Sequence, residues 1–189
     1  MRALATWSGA IAGLMLIVVG GLVPAAVPFH DAVGWTLRPL GVTLQVPALL
    51  LTALICGPRS AILAGVAYIS IGLLQLPVFH EGGGLDYLLD PGFGYLAGFL
   101  PAGWVTGKLA RQEGMDDPLA LAGAAVVGLL VLHVCGLANL LLGALAQRWG
   151  SSLVPLVLSY SLAFLPQLIL CCSAGVLAWA MRRLLLIQS

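Results

Sequence analysis

Residues 40–76 read LGVTLQVPALLLTALICGPRSAILAGVAYISIGLLQL, with two apolar blocks on either side of Gly57, Pro58 and Arg59. Proline removes a backbone donor and clashes with the preceding turn of a helix, so the Gly-Pro pair ends the first block. The stretch therefore predicts two helices, over residues 40–56 and 60–76, that reverse direction at Arg59. The first of them is short for a complete membrane span.

The whole chain has the same apolar character. Of its 189 residues, 61% are hydrophobic and 8% are charged, and its mean hydropathy is +1.08. A soluble domain has about 45–50% apolar and about 25% charged residues, so a soluble globular protein is excluded. Eight Lys and Arg against seven Asp and Glu leave a formal charge of +1. This balance provides no basic patch for nucleic acid, which we exclude as a partner.

Four further apolar blocks bring the number of predicted transmembrane helices to six. Two stretches between the helices are predicted to be loops. Residues 24–38 mix two prolines with polar and aromatic residues, which indicates an interfacial loop or a short re-entrant piece; residues 77–92 contain three consecutive glycines and three acidic residues. We therefore expect one all-α transmembrane domain over residues 1–189, whose other four helices cover residues 3–23, 93–105, 119–145 and 153–181.

The positions of Lys and Arg predict the orientation, because positive residues are retained on the cytoplasmic side. With the N-terminus inside, six of the eight are cytoplasmic, and only Arg38 and Arg148 are external. Both termini are then cytoplasmic, and the loops over residues 24–38 and 77–92 share the external face. We expect a ligand site on that face. The six cytoplasmic residues are Arg2, Arg59, Lys108, Arg111, Arg182 and Arg183.

Motifs for hydrolase, nucleotide-binding or haem chemistry are absent from the sequence, which predicts no enzyme activity, no cofactor and no metal site. Polar residues inside apolar helices are candidate site residues, because an unpaired polar group in hydrocarbon costs several kcal/mol. For Gln45, Asn139 and Gln167, ligand binding and bonding between helices both remain open. Structural hydrogen bonding is the more typical role for His133, Ser159 and Tyr160.

Several runs, in this order and spacing, resemble the BioY family, the biotin-specific S subunits of energy-coupling-factor (ECF) transporters. The ordered match covers residues 40–108, and the six-helix pattern extends the resemblance over the chain. The runs are GVTLQ at 41–45, GPR at 57–59, GLLQLPVF at 72–79, GGG at 82–84 and PGFGYLAGF at 91–99.

The resemblance implies an S-component bundle that captures a vitamin, most simply biotin, in a cavity open to the outside. It implies a multi-pass protein of a prokaryotic cytoplasmic membrane, with no ATPase activity of its own. Its partners would be a membrane coupling subunit and two cytoplasmic ATPases. The ligand-binding residues expected on this basis are Gln45, Gly82, Gly83, Tyr95, Asn139 and Gln167.

The chain departs from the family pattern in its last helix. The family there carries a Phe-x-Pro-Gly-Asp-x-x-Lys run whose Asp and Lys contact the ligand, whereas residues 164–171 read FLPQLILC. Gln167 is available to bond the ureido ring of biotin. Arg38 is the one cation in the ligand-side loop ahead of the second helix, so we expect it to contact the carboxylate. An accessory membrane subunit that has kept this fold and lost vitamin binding is the alternative.

The first predicted helix has a face of small residues, formed by Ala5, Gly9, Ala12 and Gly13, with Gly20 on the same side. Small residues let another helix approach closely. By resemblance to S subunits, this face is predicted to dock on the coupling subunit. Packing against the chain's own helices is the alternative.

Overall fold

The computed structural model describes residues 2–31, 34–74, 76–79, 82–150 and 152–185. Within these residues, eight α-helices make six antiparallel passes. Three apolar segments are long enough to cross a membrane, namely Ala3–Leu22, Pro118–Leu145 and Leu153–Leu184. The helices are α1 (Arg2–Leu22), α2 (Gln45–Cys56), α3 (Pro58–Leu73), α4 (Phe93–Ala97), α5 (Phe99–Leu109), α6 (Pro118–Leu145), α7 (Leu153–Leu162) and α8 (Phe164–Leu184).

The short helix α2 lies at the centre of the bundle. Its Leu49, Leu50 and Ala53 are fully buried, and it contacts α1, α3, α5, α6 and α8. Twelve residues rise only about 18 Å, which is less than the thickness of a bilayer core. Because other helices surround α2, its ends are shielded by protein and its length need not match the membrane.

Two helix starts follow directly from local sequence. Gly57 has φ +86°, a value that favours glycine, and Pro58 begins α3; the predicted reversal between α2 and α3 is therefore confirmed. Asp117 caps α6, and its Oδ1 accepts hydrogen bonds from the backbone N–H groups of Leu119 (2.8 Å) and Ala120 (2.9 Å). These bonds satisfy donors that have no partner within the helix.

Prolines interrupt the fourth and sixth passes, which the sequence predicted as continuous helices. Pro101 and Pro166 have no N–H to donate to the carbonyl four residues earlier, at Ala97 and Leu162. The helices α4 and α7 end at those two residues, and α5 and α8 begin two residues later. Both breaks lie near the same end of the bundle as the start of α2.

A β-hairpin replaces the interfacial loop or re-entrant piece predicted for residues 24–38. Strand β1 (Pro24–Asp31) pairs antiparallel with β2 (Gly34–Thr43), so the helix predicted from residue 40 begins only at Gln45. Residues 27, 29, 35 and 36 are Val, Phe, Trp and Thr, which favour strands. A two-stranded sheet leaves one edge of each strand unpaired, which is where prolines are tolerated.

One end of the bundle, which we call the arginine end, gathers the turn after α2, the loop after α5 and the end of α8. The guanidinium of Arg182 is buried, and its Nη1 donates to the carbonyls of Ala110 (3.1 Å) and Met115 (3.2 Å). Arg111 lies against Gly57. Arg59, Lys108 and Arg183 are exposed on helices that begin or end here.

The opposite end, which we call the cavity end, carries the hairpin and residues 76–92. The described part of this segment, residues 76–79 and 82–92, forms a loop, as predicted for residues 77–92, and contains a 3-10 turn over Leu85–Leu89. Phe79 is buried beneath it, with its ring in contact with those of Tyr68 and Tyr87. Glu81, one of the acidic residues of the predicted loop, lies outside the described residues.

The small-residue face of α1 packs largely inside the chain. A Cβ atom at Gly9 would lie 2.8 Å from Cys56 Cβ and 3.0 Å from Ser60 Oγ, and one at Gly13 would overlap Thr52. The structure thus shows the alternative for these two glycines, which pack on α2 and α3 and are not open to a partner. Ala5 and Ala12 are exposed.

Candidate functional site

A cavity of about 210 Å³ lies at the cavity end, beneath the hairpin and the 3-10 turn. It is bounded by the end of β2, the start of α2, α4 and α5, the middle of α6, and the junction of α7 with α8. Apolar walls with a few placed polar groups are typical of small-molecule sites. The lining residues are Thr43, Gln45, Val46, Tyr87, Asp90, Gly92, Tyr95, Leu96, Phe99, Leu132, His133, Tyr160, Ala163 and Gln167.

The two proline-interrupted passes contribute six of the fourteen lining residues. Leu96 and Phe99 flank the α4–α5 break, and Ala163 is the residue between α7 and α8. A break in the helical ladder frees the chain to change direction, so side chains on both sides of it reach one space. The intact helix α6 contributes only Leu132 and His133, and α1 contributes none.

Three polar atoms of the lining are buried and have no hydrogen-bond partner within 3.5 Å among the described residues, although the Gln45 side chain also lies near the Tyr68 hydroxyl. They are Nε2 of Gln45, the phenol oxygen of Tyr95 and Oε1 of Gln167. A buried donor or acceptor without a partner costs about 1–3 kcal/mol. Together they offer an amide donor, an amide acceptor and a hydroxyl that can do either. A ligand with the complementary groups would remove this cost.

Aromatic rings form one wall of the cavity. The rings of Tyr95 and Tyr160 stack with centroids 5.0 Å apart, and the His133 ring meets Tyr95 (5.6 Å) and Phe164 (4.9 Å) edge to face. Gly136 on α6 makes room for Tyr95, because a Cβ atom there would overlap the ring. The wall is therefore held by packing before any ligand arrives.

The imidazole of His133 is oriented by its own helix. Nδ1 lies 3.0 Å from the carbonyl oxygen of Leu129, which can only accept, so Nδ1 carries the proton and donates. In the neutral ring, Nε2 is then an acceptor. His133 thus combines the structural bond predicted from sequence with a place in the cavity lining.

Of the seven predicted ligand residues, Gln45, Tyr95 and Gln167 line the cavity and the other four do not. Asn139 lies beside it: its Nδ2 donates to the Pro91 carbonyl (3.0 Å), and its side chain packs against Gly94. Asn139 therefore positions the segment that carries Tyr95. This contact between separate passes corresponds to the interhelical bonding that the sequence left open.

The glycines of the 82–84 run shape the loop rather than the cavity. Gly82 has φ +122° and exchanges two backbone hydrogen bonds with Phe79, of 2.9 and 3.2 Å. A Cβ atom at Gly83 would overlap the carbonyl oxygen of Leu76. The run permits a tight turn that holds Phe79 in the core.

Arg38 lies away from the cavity, on the exposed surface of the hairpin. Its guanidinium carbon is 4.0 Å from the centroid of the Phe29 ring, an arrangement typical of a cation–π contact. The structure therefore does not place Arg38 among the lining residues.

Sequence reasoning assigned no ligand role to five polar residues that line the cavity, namely Thr43, Tyr87, Asp90, His133 and Tyr160. Asp90 is followed by Pro91 and Gly92, and its Oδ1 accepts a 2.6 Å bond from the Gly92 N–H. A carboxylate directly before a Pro-Gly turn and a helix was the available signal. Among the described residues, no group of three or more His, Cys, Asp or Glu side chains could hold a metal ion.

Comparison with known proteins gives one family. The model of the BioY family matches residues 3–186. A probable biotin transporter BioY of Lysinibacillus sphaericus is 36% identical over 91 residues, which are 48% of this chain and 46% of that protein. The biotin transporter BioY of Thermotoga maritima is 30% identical over 115 residues, which are 60% of this chain and 68% of that protein.

Two further similarities extend over nearly the full length. An uncharacterized 21.2 kDa protein of Cyanophora paradoxa is 28% identical over 178 residues, 92% of each chain. A crystal structure of the S-component for biotin from an ECF-type ABC transporter is similar with a TM-score of 0.66, at 19% identity. The match covers 100% of this chain and 93% of that one, and it shows that the two share a fold. The alignment to the Lysinibacillus protein spans about half of that relative's length.

Proposed function

The chain belongs to the BioY family, and from this premise we propose that it captures biotin as the S-component of an ECF-type transporter. It is a mostly helical, multi-pass membrane protein with the fold of an S-component. Its named relatives are transporters, and the proposed role is accordingly binding and delivery, without catalysis.

The unpartnered atoms in the cavity carry this proposal. The ureido ring of biotin presents two N–H donors and one carbonyl acceptor. Gln167 Oε1 can accept from an N–H, Gln45 Nε2 can donate to the carbonyl, and the Tyr95 hydroxyl can serve either group. Val46, Leu96, Phe99 and Leu132 supply apolar surface for the rest of the ligand.

The remaining predicted ligand residues have supporting roles in this proposal. Asn139 holds the segment before Tyr95 through Pro91, and Gly82 and Gly83 shape the loop that covers the cavity end. Neither role requires direct contact with biotin.

We propose that the arginine end faces the cytoplasm of a prokaryotic cell and that the cavity end faces outside. The clustering of Arg59, Lys108, Arg111, Arg182 and Arg183 at one end supports this orientation. Cysteines replacing the exposed residues Asp86 and Glu113, in a cysteine-free background, test it with an impermeant thiol reagent on intact cells. Asp86→Cys should be labelled and Glu113→Cys protected, and the reverse pattern would invert the topology.

We also propose that the chain works with a membrane coupling subunit and two ATPases, and that α1 contacts the coupling subunit through Ala5 and Ala12. Both residues are exposed, and Leu16 and Val19 on the same side of the helix extend an exposed apolar surface next to them. In a pull-down with those subunits, Ala12→Leu should reduce recovery of the complex. Recovery equal to that of the wild type would place the contact elsewhere.

Isothermal titration calorimetry of the detergent-purified chain with biotin tests the central proposal, with pantothenate as a control vitamin. Saturable heat with biotin and none with pantothenate is the expected result. If the folded protein gives no heat with biotin up to millimolar concentration, biotin capture fails and the accessory-subunit role replaces it.

A further inference from the structure

The β-hairpin has two faces of different chemistry. Side chains alternate between the two sides along a strand, and residues that pair across the strands share a side. The register therefore divides the hairpin into an apolar face and a charged face. The apolar face, without Asp, Glu, Lys or Arg, consists of Ala26, Pro28, His30, Trp35, Leu37 and Pro39. The charged face consists of Val27, Phe29, Asp31, Gly34, Thr36 and Arg38.

Contacts between side chains agree with this division. On the charged face, the guanidinium carbon of Arg38 lies 4.0 Å from the centroid of the Phe29 ring, so it covers part of the apolar surface of that face. On the apolar face, the rings of His30 and Trp35 meet edge to face with centroids 5.2 Å apart. Trp35 is nevertheless 76% exposed, and Leu37 is 73% exposed. The apolar face thus presents large side chains to its surroundings.

Such a hairpin needs a surface to pack on. Two isolated strands are marginally stable at best in water, and small sheets gain stability when an apolar face is covered. Ala25 and Val42 are buried at the base of the hairpin, but residues 26–30 and 35–39 are exposed. The part of the bundle that the structure describes therefore covers neither face beyond the base.

The membrane supplies an apolar surface at this position. The apolar span Ala3–Leu22 ends two residues before β1 begins at Pro24, and Leu22 and Val23 are both exposed. The exposed apolar surface of the span thus continues along the chain into the hairpin. Tryptophan is enriched at membrane–water interfaces, because its ring is apolar and its N–H group is polar. A face that contains Trp35 and no formal charge suits this layer.

We propose that the hairpin lies on the bilayer surface at the cavity end, with its apolar face among the lipid headgroups and its charged face towards water. Trp35 and Leu37 are the anchoring side chains, and lipid supplies the cover that the described part of the bundle does not. The proposal goes beyond biotin capture and does not depend on it. It also connects the membrane surface with the cavity, because Thr43 at the end of β2 is one of the lining residues.

Fluorescence quenching at four successive positions of β2 tests the proposal. The variants Trp35→Cys, Thr36→Cys, Leu37→Cys and Arg38→Cys, each in a cysteine-free full-length chain, carry nitrobenzoxadiazole and are placed in phosphatidylcholine nanodiscs. Lipids with a doxyl group near the headgroup quench labels in the interface, and iodide quenches labels in water. Quenching by the lipid should be about twofold stronger or more at positions 35 and 37 than at 36 and 38, and quenching by iodide should alternate in the opposite sense.

Two further labels set the limits of the measurement. Ala12→Cys, on the exposed side of α1, reports contact with lipid, and Asp86→Cys, on the exposed loop, reports contact with water. Iodide access without lipid quenching at all four hairpin positions would show that the hairpin projects into water and would overturn the proposal. Equal lipid quenching at the four positions, or stronger lipid quenching at 36 and 38, would also overturn it, because the apolar face would then not be the buried one.

The opposite strand provides a matched check that retains Trp35. Pro28 pairs with Leu37 and lies on the apolar face, whereas Phe29 is its neighbour on the charged face. A label at Pro28→Cys should therefore be quenched by lipid as strongly as the label at position 37, and a label at Phe29→Cys should resemble that at position 36. The reverse order in β1 would contradict the proposed orientation of the hairpin, even if the Trp35→Cys variant is locally unfolded.

Discussion

The two ends of the bundle use their buried polar groups differently. At the arginine end, Arg182 is 4% exposed, and its Nη1 ties two backbone carbonyls of the loop after α5 to α8, while its Nη2 and the Nε1 of Trp179 are buried without a partner among the described residues. At the cavity end, Gln45, Tyr95 and Gln167 each keep a buried polar atom without such a partner, and these atoms border an open volume.

Under the proposed function, this difference separates groups that stabilise the fold from groups that are available to bind a ligand. A bond between Arg182 and two carbonyls contributes to the free energy of unfolding whether or not a ligand is present. An unpartnered amide or hydroxyl lowers that stability and contributes only when a ligand binds. Substitutions at the two ends should therefore affect different measurements.

Gly9→Leu, near the arginine end, should have the largest effect on stability. A leucine there must displace Cys56 and Ser60, because even a Cβ atom at Gly9 would lie 2.8 Å from Cys56 Cβ and 3.0 Å from Ser60 Oγ. Overpacking of this kind costs about 3 kcal/mol. Thermal unfolding in detergent should show a clear drop. Ala12→Leu, on the exposed side of the same helix, is the control, and an equal drop in both would contradict the packing described.

Arg182→Met should lower the free energy of unfolding by about 2–3 kcal/mol, because two carbonyls lose a charged donor. The neighbouring Arg183→Gln, whose side chain is exposed and stacks on Trp179, should change it by less than about 0.5 kcal/mol. The affinity for biotin of the folded Arg182→Met protein should stay within twofold of the wild type. A large loss of biotin affinity in Arg182→Met would mean that the structure of the arginine end affects ligand binding at the cavity end.

Gln167→Leu should show the opposite pattern. Loss of the acceptor at the ureido head should weaken biotin binding by roughly 1–3 kcal/mol, while thermal stability without ligand should be unchanged or higher. Gln112→Leu, an exposed glutamine near the arginine end, should alter neither. If Gln167→Leu lowers stability and spares binding, the unpartnered oxygen is not a ligand contact.

The smallest change that tests the comparison is the removal of one hydroxyl group from either of two tyrosines at the cavity end. Tyr95→Phe should weaken biotin binding by about 1 kcal/mol and leave the free energy of unfolding unaltered. Tyr68→Phe removes a 2.7 Å bond to the Val78 carbonyl, and should cost about 1 kcal/mol of stability without a direct effect on binding. Identical behaviour of the two variants would refute the distinction.

The sequence predicts much of the fold because membrane helices are encoded by long apolar blocks. The six passes, the reversal at Gly57 and Pro58 and the loop before Phe93 were all readable in this way. The hairpin could not be predicted in this way, because its three prolines favour a loop. A strand tolerates a proline on its unpaired edge, and which edge is unpaired depends on the strand that pairs with it. The breaks at Gly98 and Ala163 were signalled by Pro101 and Pro166 three residues later, but the long apolar runs masked that signal.

The site was predicted only in part, because proximity between passes is not a property of local sequence. Gln45 and Gln167 stood out as amides in apolar helices, and both line the cavity. Asn139 stood out equally, yet its side chain lies beside the cavity and donates to the Pro91 carbonyl instead. For the small face of α1, the pattern could not distinguish a neighbouring helix of the same chain from one of another chain.

The hairpin makes a large part of the connection between α1 and α2 a separable module. Its base brings the end of α1 and the start of α2 together, with Pro24 opposite Thr43 and a 3.2 Å bond from the Leu44 N–H to the Val23 carbonyl. The geometry of the helices is thus fixed where the hairpin joins them, and the strands away from this base are exposed, with Trp35 76% exposed. We therefore expect that matched pairs of residues can be added to or removed from the two strands, and that an epitope or reporter domain can be inserted between them, without a change in the spacing of the bundle.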